Sequence, residues 1–593
     1  MDNRNLFLAI VISIAILLGF EFLYPKPPQP VAVNTQPQAM DTAPSASNAP
    51  KTAVTQQTGT MPTVPGAVPT TPQQQAQAVI AATQQTLEQL LSGVGRVSIT
   101  SPNVTGSISL QGARIDDLTL NGYQEGLDKT SPHIRLLAPR GSENAYYAEH
   151  GWIAPTGISV PTSTTVWTAD HKVLNPNNPV TLSWDNGQGL TFKRTIAIDK
   201  DFMFSITQNV TNTTGKAVTL NPYGLVSRWG TPKTSGLYIL HEGPIGVFDT
   251  KLEEIKYTKL QEDGEAPYSS TGGWLGFTDK YWLTALIPDQ KATVKARMLY
   301  SKTGMIEKYQ TDFVGTAQVV NPGTTVSSTT HFFSGAKKVS ILEMYAEKYK
   351  VKNFDLAIDF GMFYFLTKPI FHALSYIHGL VGNFGISILL LTVVIKLFLF
   401  PLANKSYVSM SKMKKLQPKT KALQERFKDD KMRLNQEMMA LYKKEKANPA
   451  AGCLPVLVQI PIFFSLYKVL LVTIEMRQAP FFGWIQDLSV PDPASIWTAF
   501  GLIPWQHVGV IPAPLDIGVW PIIMGFTMWF QQRLNPQPTD PIQAKVFFYL
   551  PFIFTFLLAK FAAGLVIYWA WNNTLSIAQQ MIIMKRMGVK VGR

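Results

Sequence analysis

One ammonium group sits in a stretch that is otherwise apolar. NFGISILLLTVVIKLFLFP, residues 383–401, carries Lys396 as its only charge. It is long enough to cross a hydrocarbon core of about 30 Å. On insertion scales a cation at mid-membrane costs about 2.5–3.5 kcal/mol, so it is expected beside a counter-charge, water or an interface. The later apolar stretches, 453–474, 519–534, 545–563 and 564–583, contain no Asp, Glu or His, and Glu475 lies at the end of its stretch near Arg477. Two readings stay open. Lys396 can snorkel along its own stem toward the side where Pro401 and Lys405 follow. Alternatively it faces a wet groove between helices. A dry lysine sheds its proton where arginine would not, so a charged Lys396 requires water.

Other polar residues fall where lipid would not tolerate them. The last apolar stretch holds Tyr568, Trp569, Asn572, Asn573, Gln579 and Gln580, and Gln459 and Ser465 interrupt 453–474. A polar face this rich suits a groove, not lipid. Bond-making chemistry has no comparable signal. No residue reads as a nucleophile with its base, and neither HExxH nor GxxxxGK[ST] occurs. His133, His150, His171, His241 and His331 have no metal-ligand spacing, and Cys453 is the single cysteine. No intrachain disulfide, cofactor or metal is expected, and no enzyme activity.

These residues need elements to position them. A chain of 593 residues with a net charge of +14 could suggest nucleic acid, but the charge is localised. Between Lys405 and Lys446 there are 13 Lys/Arg against 5 acids, whereas 477–515 has only Arg477. That asymmetry is the positive-inside pattern, with 405–452 cytoplasmic.

In chain order, residues 1–24 read as an uncleaved anchor, since no small-x-small site follows the apolar run. Residues 25–93 are rich in Pro, Gln, Thr, Ala and Ser, which predicts a flexible linker with a short helix near 81–91. From 94 to 336 alternating runs such as FKRTIAI (192–198) and YWLTALI (281–287) predict a large antiparallel β-sandwich. Asn121-Gly122 and Asp185-Asn186-Gly187 are read as turns within it. Residues 337–382 mix aromatics with Lys368, His372 and His378, which suits interfacial helices.

A span at 383–404 is followed by a helical hairpin over 405–452. Its bend is at Asp429-Asp430, and its methionines form either a seam or an adaptable surface. Spans are expected at 453–476, 519–534, 545–563 and 564–583. They are joined by a far-side loop at 477–518 with Trp484, Trp497 and Trp505 and by a cytoplasmic loop at 535–544, and 584–593 forms a basic cytoplasmic tail. The chain is thus a multi-domain membrane protein, anchored, with an all-β domain and a helical core.

Several stretches together resemble the YidC membrane-protein insertase family. They are VGNFGISILLLTVVIK, FPLANKSYVSMSKMKKLQPK, LNQEMMALYKKEKANPAAGCLPVLVQIPIFFSLY, EMRQAPFFGWIQDLS, TDPIQAK and GLVIYWAWNNTLSIAQQ. The resemblance runs nearly end to end and implies the Gram-negative version. That version has a periplasmic β-supersandwich, a five-span insertase core and a hydrophilic groove open to cytoplasm and lipid. Lys396 takes the place of the family's basic residue, commonly Arg, and Trp569 that of an aromatic which is commonly Tyr. On this resemblance the groove is Lys396, Thr392, Gln459, Tyr568, Trp569, Asn572 and Gln579, and the hairpin, with Tyr407 and Asp429, receives clients first. The implied partners are nascent membrane proteins, the Sec translocon with its accessory subunits, the ribosome and the lipid bilayer, with no specific nucleic acid beyond the ribosome. The implied location is the bacterial inner membrane, with both termini cytoplasmic. The alternative is a small-solute transporter or channel using Lys396 as an anion site, against which stand the absence of internal repeats and of an intramembrane acid or histidine relay.

Overall fold

Strands dominate the first half because alternating apolar residues can bury one face of a pleat. In Leu190–Ile198 the burial alternates almost residue by residue, and it pairs antiparallel with Met203–Asn212, which pairs in turn with Thr325–Ala336. In this computed structural model the strands from Arg96 to Ala336 form an eleven-stranded and a nine-stranded sheet. The neighbours are antiparallel, except that Arg96–Thr100 runs parallel to Val173–Leu174. Between the faces lie Phe192, Phe204, Trp274, Phe277, Phe332 and Phe333, each at most 1% exposed. This is the expected β-sandwich. The structure describes residues 86–589 apart from 129, 237–238, 429, 446, 449–453, 501, 504–515 and 536–540. The anchor expected at 1–24, the linker up to residue 85, Trp505 and the end of the basic tail lie outside the described residues.

The two turn signals had different outcomes. Asp185-Asn186-Gly187 does join two paired strands, Val180–Asp185 and Leu190–Ile198, and Gly187 takes a φ of 69° that favours glycine. Asn121-Gly122 instead lies inside the strand Arg114–Gln124. The Asn121 side chain donates to the carbonyls of Ser101 and Pro102 and accepts from Thr105 Oγ1 at 2.9 Å. Tertiary hydrogen bonds therefore hold the dipeptide extended, against its local turn preference.

The interior of the sandwich also carries charge. Arg194 is 2% exposed and donates to the carbonyls of Ala113 and His150 and to Gln208 Oε1. Burial, and then this guanidinium, push the His150 imidazole down to about 3 from its ordinary 6.5. Below pH 6.5 the unfolded chain therefore takes up a proton that the folded domain refuses. Stability contributed by neutral His150 is complete above pH 6.5 and is lost as pH falls toward 3. By pH 4 the cost should reach about 3 kcal/mol. His150→Leu should flatten this part of the pH profile of thermal unfolding; an unchanged profile would exclude His150 as its source.

The described chain also holds ten α-helices: α1 (Leu87–Ser92), α2 (Tyr257–Asp263), α3 (Val339–Lys348), α4 (Tyr364–Val381), α5 (Phe384–Arg426), α6 (Lys431–Lys444), α7 (Leu454–Val472), α8 (Val519–Leu534), α9 (Pro541–Leu558) and α10 (Ala563–Arg586). Pro369 does not end α4; Gly382 does, at φ 70°. Helix α4 buries Thr367, Ile370, Phe371 and Leu374 and exposes Phe365, Tyr376 and Leu380. Helix α5 continues for 43 residues through Pro401 and Pro418, so the span and the first arm of the hairpin are one helix. Among the described helices it alone is both long and apolar enough to cross a membrane by length and composition, and shorter apolar stretches occur at Leu457–Val472 and Ala544–Leu558. One side of α5 exposes Leu390, Val394, Leu397 and Phe398, and α9 exposes Phe548, Phe552, Ile553 and Phe556. Contiguous apolar surface of this kind needs a nonaqueous neighbour.

By its contacts Leu416–Asn448 groups apart from residues 62–415 and 449–593. Within it Asp430 caps α6 by accepting from the Arg433 N–H at 2.9 Å, and Lys419 pairs with Glu445 at 2.7 Å. Met432 is 74% exposed, so it stands outside any seam there.

Candidate functional site: a polar cavity around Lys396

Lys396 projects from the face of α5 opposite Val394 and Phe398, toward α7 and α10. Its ammonium donates to Ser576 Oγ on α10 at 2.7 Å. Ser576 in turn donates to the Asn572 carbonyl one helical turn back, at 2.8 Å. Among the described residues no carboxylate pairs with Lys396. The partner is thus a neutral hydroxyl, which leaves the positive charge uncompensated and in need of water or of an anionic guest.

Thr392, Ile395, Lys396, Leu399, Gln459, Ile462, Tyr568 and Asn572 line the cavity, with about 250 Å³ of space outside the atoms, open solvent included. Five of the residues expected in the groove are therefore together: Thr392, Lys396, Gln459, Tyr568 and Asn572. The Thr392 hydroxyl donates to the Ile388 carbonyl at 2.6 Å, so its oxygen lone pairs remain free to accept.

The positions follow from helix periodicity. Tyr568, Asn572, Ser576 and Gln580 recur every fourth residue on α10, and all four are at most 5% exposed. Three contacts fix the rotation of α10. Trp571 Nε1 donates to the Leu389 carbonyl on α5 at 3.2 Å, Asn573 Nδ2 to Thr527 Oγ1 on α8 at 3.4 Å, and Gln580 Nε2 to Asn535 Oδ1 at 3.1 Å. Helices α8 and α9 meet closely at Gly525, where a Cβ would come within 2.0 Å of Thr555 Oγ1.

The other expected site residues lie elsewhere. Trp569 is turned away from the cavity and packs against Phe463 and Phe554, with ring centroids 4.5 and 6.2 Å away. Gln579 does not line the cavity, and its Nε2 is buried without a hydrogen-bond partner. Tyr407 is 7% exposed, in a small apolar cluster with Met410 and Ile583, and its side chain is hydrogen-bonded to Ser576. Met410 and Met413 thereby belong to a seam with the end of α10. Asp429 lies outside the described residues.

Sequence reasoning missed Ser576, which touches both Lys396 and Tyr407. A small hydroxyl is a weak signal in an apolar helix. Its spacing of four from Asn572, in register with Tyr568, was the available clue.

Toward the β-domain, Lys468 near the end of α7 pairs with Asp359 at 2.7 Å and donates to the Ile239 carbonyl. Gln478 Nε2 donates to the Gly126 carbonyl at 2.8 Å, and Arg477 donates to the Gln124 carbonyl. The sandwich is therefore fastened to the helical core by several polar contacts.

Comparison with known proteins agrees with this architecture. The family described as YidC periplasmic domain matches residues 96–373, and the family described as 60Kd inner membrane protein matches 376–590. A membrane protein insertase YidC from Beijerinckia indica subsp. indica is 49% identical, covering 100% of this chain and 97% of its own. The corresponding protein from Nitrobacter hamburgensis is 54% identical over 84% of each chain. A solved active YidC insertase, with its first transmembrane domain resolved, is similar at 16% identity and a TM-score of 0.33, covering 85% of this chain and 98% of that one. Matched over its whole length by relatives of that name, the chain belongs to the YidC family of membrane protein insertases, which are inner-membrane proteins.

Proposed function

We propose that the cavity around Lys396 is where a client's polar segment leaves water on its way across the membrane. The observation that carries this reading is an ammonium with only a hydroxyl partner, facing a space lined by Thr392, Gln459, Tyr568 and Asn572. A short hydrophilic client segment, often acidic, enters from the cytoplasm. Lys396 attracts its negative charge while the polar lining shortens the apolar barrier that the segment must pass. The client's own apolar helix then slides between the third and fifth spans into lipid. Burial of apolar surface at about 25 cal/mol per Å² drives the step without ATP. No covalent intermediate is required.

In this reading Trp569, beside the cavity against Phe463 and Phe554, and Gln579, about 10 Å beyond Asn572 along α10, meet the client outside the cavity itself. The hairpin, with Asp429 and the approach past Tyr407, receives clients first. Both termini are cytoplasmic, the sandwich is periplasmic, and the protein works alone or beside the Sec translocon, fed by the ribosome. Site-specific crosslinking tests this directly. A photoreactive residue at Thr392 or Gln459 should capture a nascent single-span protein during synthesis, while one at Phe552, on the exposed side of α9, should not. Absence of adducts from both cavity positions would refute the route.

Ser576 should act as a positioning residue for Lys396. Hydrogen bonds to charged groups contribute about 1.5–3 kcal/mol. Ser576→Ala should therefore slow insertion at least about tenfold and Ser576→Thr should restore it, read as the rate of client protection in proteoliposomes. Wild-type rates in the alanine variant would dismiss the role.

A further inference from the structure

A second cavity lies on the β-domain, with about 790 Å³ of space outside the atoms, open solvent included. The charged side chains on its walls are Arg135, Arg228, Lys233, Lys280, Glu242 and Asp279. Both carboxylates are already engaged. Asp279 pairs with Arg228 at 2.8 Å, and Glu242 accepts the backbone N–H groups of Ser235 at 2.6 Å and Lys280 at 3.1 Å. Behind them Lys337, 2% exposed, donates to Thr278 Oγ1 at 2.8 Å, and its charge attracts both acids. Arg135 is held by Asp117.

What remains is positive. Lys233 and Lys280 have no ion-pair partner among the described residues; the Lys280 ammonium lies 4.8 Å from the centre of the Tyr281 ring. The Tyr281 hydroxyl is buried without a hydrogen-bond partner. Two ammonium groups and a free phenol offer donors with no acceptor.

The place of the cavity narrows the guest. Trp282, on one wall, carries the Arg477 guanidinium over its ring at 5.7 Å, just beyond α7. Ile239, between the lining residues Lys233 and Glu242, accepts from Lys468 near the end of α7. Two walls are thus tied to the far-side end of a helix that the proposed function places across the bilayer. The cavity then stands at the depth of the lipid headgroups.

We propose that this cavity binds the phosphate-bearing headgroup of an anionic phospholipid, held by Lys233, Lys280 and the Tyr281 hydroxyl. The assignment rests on α7 crossing the membrane, not on the role of Lys396. An acceptor-only phosphate diester matches the unused donors, and a net negative headgroup matches the surplus charge.

Calorimetric titration of the full-length protein in neutral detergent tests this, with dihexanoyl phosphatidylglycerol, dihexanoyl phosphatidylcholine and glycerol 3-phosphate as probes. Phosphatidylglycerol should bind about tenfold more tightly than phosphatidylcholine. The pair Lys233→Glu and Lys280→Glu should erase that preference with the thermal midpoint unchanged, and Tyr281→Phe should weaken it several-fold. Competition by glycerol 3-phosphate would assign recognition to the phosphate ester itself; failure to compete would add a need for the acyl chains, and both results uphold the site. Equal affinity for the two lipids, a preference that survives the double charge reversal, or tighter binding of polyglutamate than of phosphatidylglycerol would overturn it. Client insertion, measured in parallel, reports on the Lys396 cavity separately, so failure of one reading is distinguishable from failure of the other.

Discussion

Lys396→Glu should abolish insertion, and Lys396→Arg should support it. With the native protein depleted and the variant as the only copy, the first strain should stop growing and accumulate uninserted single-span clients. The magnitude follows from charge. Opposite unit charges 4 Å apart attract by about 4 kcal/mol at an effective dielectric of 20. Losing half of that slows a step by roughly thirtyfold, and reversing the sign costs more. The ammonium's hydrogen-bond partner, Ser576, is neutral, so nothing offsets a carboxylate at 396, which would repel the acidic segment that the cation attracts. Arginine keeps the charge and can reach the same hydroxyl with a planar fork. The decisive companion is Lys396→Met, which keeps the stem and removes the charge. It should insert clients poorly. Growth and insertion at wild-type levels would end the account. Water access can be tested beside it. In a Cys453→Ser background a cysteine at Thr392 should react with a membrane-impermeant maleimide added from the cytoplasmic side. No labelling there, together with a functional methionine variant, would leave the snorkelling reading in possession.

Excising residues 416–448 and closing the gap with a short Gly-Ser linker should reduce insertion at least as severely as loss of the charge, with the helical core still folded. By its contacts the segment groups apart from residues 62–415 and 449–593, which hold the Lys396 cavity. The seam of Tyr407, Met410 and Ile583 remains, as does Lys414, which donates to the Arg533 carbonyl at 3.2 Å at the end of α8. What is lost is a basic surface with exposed methionines such as Met432 and Met439. Such a surface can adapt to varied apolar clients. The purified excision variant should keep its thermal midpoint and its Lys396–Ser576 contact, yet fail to capture nascent chains. Normal insertion of a single-span client by this variant would remove the hairpin from the pathway.

How much of this was legible beforehand differs from one element to the next. The β region could be read from alternation, because a two-residue period leaves a local trace in any half-buried strand. The relevant features around Lys396 were equally local: one cation in an apolar stretch, no acid in any of the later apolar stretches, and polar residues crowded into 568–580. Those are facts of composition, and no packing could alter them. Asn121-Gly122 shows the opposite case, since its turn chemistry was overruled by hydrogen bonds from residues about 20 positions away.

Composition and spacing by themselves determined that a lysine would lack a carboxylate partner within the apolar stretches and that polar side chains would have to share its surroundings. Which side chains meet was decided only by the tertiary structure. A helix turns about 100° per residue, so the rotation of α10, set by Trp571, Asn573 and Gln580, brings Tyr568 and Asn572 to the cavity and turns the adjacent Trp569 toward Phe463. Gln579 shares the face of Asn572 but stands about 10 Å further along the axis. Ser576, between them, receives the ammonium because its depth on α10 matches that of Lys396 on α5. Rotation and depth are relations between helices, and a single helix's residues carry neither.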